Sequence, residues 1–92
     1  MSQPDVFSAR DLRNRSGELL KEAEAGRISL ITKHGRPVIV AVPFDQRLLD
    51  LGVERAMALD LFEAGTVSLA KAAKIAGLDL ETFIELVGEM GL

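Results

Sequence analysis

Three guanidinium groups, on Arg10, Arg13 and Arg15, fall within six residues of one another, with the amide of Asn14 among them and one carboxylate, Asp11, between. Guanidinium and amide side chains are the groups that clasp phosphate oxygens and read the edges of guanine and adenine. Their position sharpens the point. Ser8 is placed to open a helix, and the amino end of a helix carries about half a positive charge and favours Asp and Glu. Three cations there oppose the local rule, and such violations mark functional sites. The pattern points to an anionic partner such as DNA. Lys33 and Arg36, flanking a tight connection, are a second candidate pair for phosphate. The plain alternatives are a solvated helix face paired with Glu18 and Glu22, and edge-strand charges that deter aggregation.

Other chemistry finds little support. The chain has no cysteine and one histidine, His34. That excludes a disulfide framework, thiolate chemistry and a multi-histidine zinc site. Glu81 and Glu85 have the spacing of an acid/base pair, but i, i+4 carboxylates are common on exposed helices and no second reactive group accompanies them. No catalytic, cofactor-binding or metal-binding residue is expected, and no cofactor. Leu69–Gly88 carries a helix-turn-helix pattern with Ala73 and Gly77 at the turn and Phe83 and Leu86 at core positions. Its second helix would meet DNA with Glu81, Glu85 and Glu89. Repulsion from phosphate argues for packing and a basic protein partner instead.

The elements that must hold these residues follow from periodicity. Val6-Phe7 ends a short strand. Ser8 and Asp11 form a capping box, and a helix is expected over 9–25, with Leu12, Ser16, Leu19, Leu20 and Ala23 on one face and Gly26 following its end. Residues 28–33 and 38–42 read as strands joined by Lys33-His34-Gly35-Arg36, where Gly35 supplies a positive φ. VIVAV at 38–42 does not alternate with polar residues, so both of its faces are expected to be covered. From Phe44 the pattern turns helical as far as a break at Gly52. Helices are then expected near 53–64, over 69–76 between Ser68 and Gly77, and over 80–90 after Asp79.

Ninety-two residues make one small domain, or a domain with an appendage, and bury only about 60–65% of the unfolded surface. Yet 48% of the chain is hydrophobic, more than so small a core absorbs, so oligomerisation is expected. The net charge of −3 is unevenly spread: residues 1–50 hold eight Lys/Arg against seven Asp/Glu, and residues 51–92 three against seven. No signal sequence, lipidation signal or transmembrane run is visible, so no membrane partner is expected and the cytoplasm is the default location.

Residues 5–50 resemble the Phd/YefM family of type II antitoxins. The resemblance is carried by Ser8-Ala9-Arg10, Arg13-Asn14, Leu19-Leu20, Glu24-Ala25-Gly26, Ile31-Thr32-Lys33-His34-Gly35-Arg36-Pro37 and Ala41-Val42-Pro43. It implies a dimer formed through a mixed sheet, with paired first helices presented to operator DNA. By position it makes Arg10, Arg13 and Asn14 helix contacts and Lys33 a hairpin contact, with Arg36 beside it; Arg15 lies on another side of the helix. The family's usual acidic tail is replaced here by a helical unit. That unit is similar to a family of short uncharacterised helical proteins, through Ala58-Leu59, Leu61-Phe62, Gly65, Ser68-Leu69, Lys71-Ala72-Ala73, Ala76-Gly77-Leu78, Phe83 and Gly91-Leu92. This second resemblance suggests a PIN-domain ribonuclease as the toxin.

The expected architecture is α+β: a βαββα half over 1–51 that dimerises and binds DNA, followed by a helical toxin-binding unit over 53–92. Phe62, Phe83, Glu81 and Glu85 are the expected toxin contacts. The expected function is an antitoxin that neutralises a ribonuclease-type toxin and represses its own operon as a homodimer or higher homo-oligomer. The alternative is a stand-alone transcriptional regulator whose C-terminal helices serve only oligomerisation.

Overall fold

In the computed structural model, which describes residues 5–92, the chain runs β1 (Asp5–Ser8), α1 (Asp11–Asn14), α2 (Ser16–Glu24), β2 (Ser29–Lys33), β3 (Arg36–Ala41), α3 (Gln46–Leu51), α4 (Val53–Glu63), α5 (Leu69–Ala76) and α6 (Leu80–Glu89). The fold class is α+β, a three-stranded mixed sheet with helices followed by further helices. Strand β2 is central. It pairs in parallel with β1, Asp5 opposite Ser29, and antiparallel with β3, Ser29 opposite Ala41. The parallel pair requires a crossover, which α1 and α2 supply. The β2–β3 turn is two residues long, with His34 at φ 53° and Gly35 at φ 75°. Two positive φ values are the type I′ signature, the turn whose twist suits a hairpin.

Two departures from the expected elements have identifiable causes. The helix expected over 9–25 is two helices, broken at Arg15, whose φ of −125° and ψ of 26° leave the helical region. Ser16-Gly17 follows at once, and adjacent Ser and Gly are a common site of kinks because neither holds the helix strongly. The shared apolar face is accordingly incomplete: Leu12, Leu19 and Ala23 are half-buried, but Ser16 and Leu20 are exposed. The apolar run of β3 is also not covered within the chain. Val38, Ile39 and Val40 are 58%, 52% and 45% exposed at the edge of the sheet. A run of this kind shows that both faces are apolar, not that this chain supplies what covers them. Phe44 lies outside α3 and is largely exposed; Asp45 caps that helix, accepting a 2.9 Å hydrogen bond from the Leu48 N–H.

The helical caps follow the residue types. Ser68 Oγ accepts from the Lys71 N–H at 3.1 Å, and Asp79 Oδ1 from the Thr82 N–H at 2.8 Å. Gly77 ends α5 in the left-handed region at φ 71°, where a side chain would be strained. The core has two parts. Phe7, Ile28 and Ile31 are buried around the sheet. Ala58, Leu59, Ala72, Ala73, Ala76 and Phe83 form a continuous buried cluster in the helical unit, bordered by Leu51, Phe62, Leu78 and Leu86. Small alanines on α4 and α5 let the two helix axes approach closely. Among the described residues no helix is long and apolar enough to cross a membrane.

Candidate nucleic-acid interface and acidic helical face

The capping box forms in both directions: the Ser8 N–H donates to Asp11 Oδ2 at 2.9 Å, and the Asp11 N–H donates to Ser8 Oγ at 3.0 Å. The Ser8 N–H is also the main reason the Asp11 carboxyl sits below its ordinary pKa. This box ties α1 to the end of β1. The Ala9 N–H donates to the Thr32 carbonyl at 2.8 Å, so the chain enters α1 directly beside the end of β2. Parallel pairing therefore brings Arg10 and Lys33 to the same end of the sheet. Arg36 stands opposite Lys33 across the hairpin.

Which cations are free decides what this end can do. The carboxylates that might neutralise Arg10 and Arg13 are engaged elsewhere. Glu18 accepts from Arg15 Nε at 2.6 Å, and Glu22 is held by Arg27 at 3.0 Å. Arg15 also reaches Asp11 at 3.3 Å and places its guanidinium 4.8 Å from the centre of the Phe7 ring. It is a clamp across the helix break. Arg10, Arg13 and Asn14 are exposed, and neither Arg10 nor Arg13 forms an ion pair among the described residues. Lys33 and Arg36 are likewise exposed and free of ion pairs. This end of the sheet therefore carries exposed cations that form no ion pair among the described residues.

The residues expected to meet a toxin separate into two kinds. Glu81 and Glu85 are exposed on α6. Phe83 is not a surface residue: it is 0% exposed and meets the half-buried Phe62 edge to ring, centroids 6.2 Å apart at 83°. On a helix, Phe83 lies about 160° or more around from the midpoint of Glu81 and Glu85, so one face cannot present all three. A partner would have to open the helical core to reach Phe83. The exposed apolar neighbours of the two glutamates are instead Leu80 and Ile84, 46% and 47% exposed. Their i, i+4 spacing was the available signal.

Sequence reasoning also missed an ionic link. Arg47 on α3 donates to Asp60 at 2.8 Å and to Glu63 at 2.9 Å, both on α4. Asp60 is only 5% exposed, and burial raises its pKa despite the opposing pull of Arg47. Thirteen residues separate this pair, too far for any local pattern. Among the described residues no group of three His, Cys, Asp or Glu side chains is placed to hold a metal ion.

The family model described as Antitoxin Phd_YefM, type II toxin-antitoxin system, matches residues 4–75, most of the chain. The chain belongs to the Phd/YefM antitoxin family. It is thus an antitoxin of a type II toxin–antitoxin system, from a family without enzymatic activity, and a cognate toxin is its implied partner. No curated protein matches the chain. The second resemblance, of residues 53–92 to short helical proteins, gains no support from these comparisons.

Proposed function

We propose that this antitoxin represses its own operon by presenting Arg10, Arg13 and Asn14, with Lys33 and Arg36, to operator DNA, and that it neutralises a ribonuclease-type toxin through residues 53–92. The observation that carries the DNA reading is the pairing pattern: Glu18 and Glu22 serve Arg15 and Arg27, and among the described residues Arg10 and Arg13 form no ion pair, with Arg10 at the same end of the sheet as Lys33. The exposed edge strand β3 supports assembly through the sheet. Its unpaired backbone groups and its three exposed apolar residues call for a second strand. A dimer would double the basic patch and match a two-fold operator.

The toxin reading rests on family membership and on charge. Residues 51–92 carry seven carboxylates against three cations, which suits a nuclease whose own substrate is anionic. Glu81 and Glu85 remain the proposed contacts; the half-buried Phe62 and the buried Phe83 support the helical unit from within. A PIN-domain ribonuclease is the toxin class we favour, and the cytoplasm is the expected setting. The unit boundary is placed at Gly52, between α3 and α4. In a test with the full chain and with residues 1–52, both should retard upstream DNA, and only the full chain should protect cells from the toxin. Protection by residues 1–52 would overturn the assignment of the toxin site.

A further inference from the structure

The exposed face of the α5–α6 hairpin has a fixed order of chemistry across it. Lys71 and Lys74 are exposed on α5 and line a groove together with Leu78 and Leu80. Leu80 forms the near edge of α6, and Ile84, one turn on, lies beside it. At about 100° per residue, Glu81 and Glu85 occupy the next strip around α6, on the side away from the lysines. The order is basic, apolar, acidic. None of these four charges is used within the chain, for among the described residues no ion pair includes Lys71, Lys74, Glu81 or Glu85.

A second feature lies in the same strip. Gly88 falls between Ile84 and Glu81 around the helix, inside α6, where glycine is less favourable than alanine. No packing within the chain requires it, because a Cβ there would meet nothing within 4 Å. A glycine at an exposed helical position with no internal neighbour suits close approach by another backbone.

From these observations we infer that the α5–α6 face pairs with the same face of a second copy of this chain. A two-fold axis running along the Leu80–Ile84 stripe lays each copy's glutamates over the other's lysines and keeps the two α6 helices parallel. The surface is its own complement, which is what an isologous contact requires. A partner of one strong charge sign would be repelled by one edge of the face. DNA would meet Glu81 and Glu85, and a basic surface wide enough to cover the whole face would meet Lys71 and Lys74 as well as the glutamates. The contact is independent of the sheet edge, so it doubles whatever assembly β3 forms and brings a second basic patch to neighbouring operator sites. The apolar stripe is short, which places the pairing in the weak, concentration-dependent class. A toxin held by Glu81 and Glu85 would compete with it.

Sedimentation of two full-length charge variants tests the inference. Lys71→Glu/Lys74→Glu has an all-acidic face and Glu81→Lys/Glu85→Lys an all-basic one. Wild type should double its copy number with rising concentration, and the doubling should weaken as salt is raised to about 1 M, where the screening length falls to about 3 Å. Each variant alone should lose the doubling, and an equimolar mixture should recover it. Unfolding of either variant would not produce that recovery. Absence of the doubling in wild type, its persistence in either variant alone, or failure of the mixture to recover it would overturn the inference. Toxin neutralisation measured beside it separates this contact from the toxin reading: full protection by Glu81→Lys/Glu85→Lys, with its self-pairing lost and then recovered in the mixture, counts against the toxin contacts alone.

Discussion

The two ends of this antitoxin solve the burial problem differently. The helical unit closes on itself: α4, α5 and α6 surround Leu59 and Phe83, both fully buried, and the chain supplies every wall of that core. The sheet unit buries Phe7, Ile28 and Ile31 on β1, on β2 and just before β2, but leaves its third strand open, with three consecutive apolar residues near half exposure. Helices satisfy their backbone locally, whereas a strand needs neighbours, and β3 has one. The lesson is that one unit buries its apolar residues within itself, while the other leaves a run of them exposed along a strand edge.

The largest effect that tests this contrast is Phe83→Ala. Removing a fully buried ring should cost about 3–5 kcal/mol, concentrated in α4–α6. Residue-resolved hydrogen exchange should show the helical amides losing protection while β1–β3 keep theirs. A single cooperative loss across both units would break the comparison. Next in size, Ile39→Lys on the exposed strand should leave the fold of the single chain intact, because the side chain is already about half in solvent. It should abolish sheet assembly and, with it, tight operator binding, as read by sedimentation and gel retardation. Unchanged assembly would mean that β3 is not the contact.

Arg10→Ala and Arg13→Ala act on the patch alone. Each should lower the salt slope of DNA binding by about one unit and leave melting temperature and toxin neutralisation unchanged; an equal loss of both activities would end the division of labour. The smallest effect is one of pH. Burial holds the Asp60 pKa above the ordinary carboxylate value, so the folded chain binds that proton more tightly than the unfolded one. Asp60 therefore favours folding below its unfolded pKa, and that contribution is lost as pH rises through the folded pKa. Asp79 has the opposite sense: the Thr82 N–H lowers its pKa, so its contribution is lost as pH falls through its folded pKa. Urea melts across the acid range should show Asp60→Asn and Asp79→Asn bending the stability curve in opposite directions. Identical curves would refute the assignment.

What was legible in the sequence was what depends on near neighbours. Ser68, Asp79 and Gly77 cap or end their helices by chemistry contained within a few residues, and each stands where the pattern puts it. The capping box at Ser8 and Asp11 was readable for the same reason. The break at Arg15 was hidden because cap and periodicity both favoured continuing, while the weakness came from Ser16-Gly17. VIVAV declares a strand with two apolar faces, but whether this chain covers them depends on residues far away in sequence. Phe83 reads as core and as anchor alike until its burial is known. The free state of Arg10 and Arg13 needed the partners of Glu18 and Glu22, which composition does not give.

The parallel register of β1 on β2 bears on the order in which the molecule takes shape. Asp5 finds its sheet neighbour at Ser29, and among the described residues β1 pairs with no other strand. During synthesis the first strand made must wait for the hairpin that follows it, and closing so long a loop is slow compared with forming a helical turn. Strand β1 is thus ordered by what comes after it. Interrupting translation before residue 33 would leave the basic turn without a platform, so the end of the sheet that carries Arg10 and Lys33 is built only once the hairpin exists.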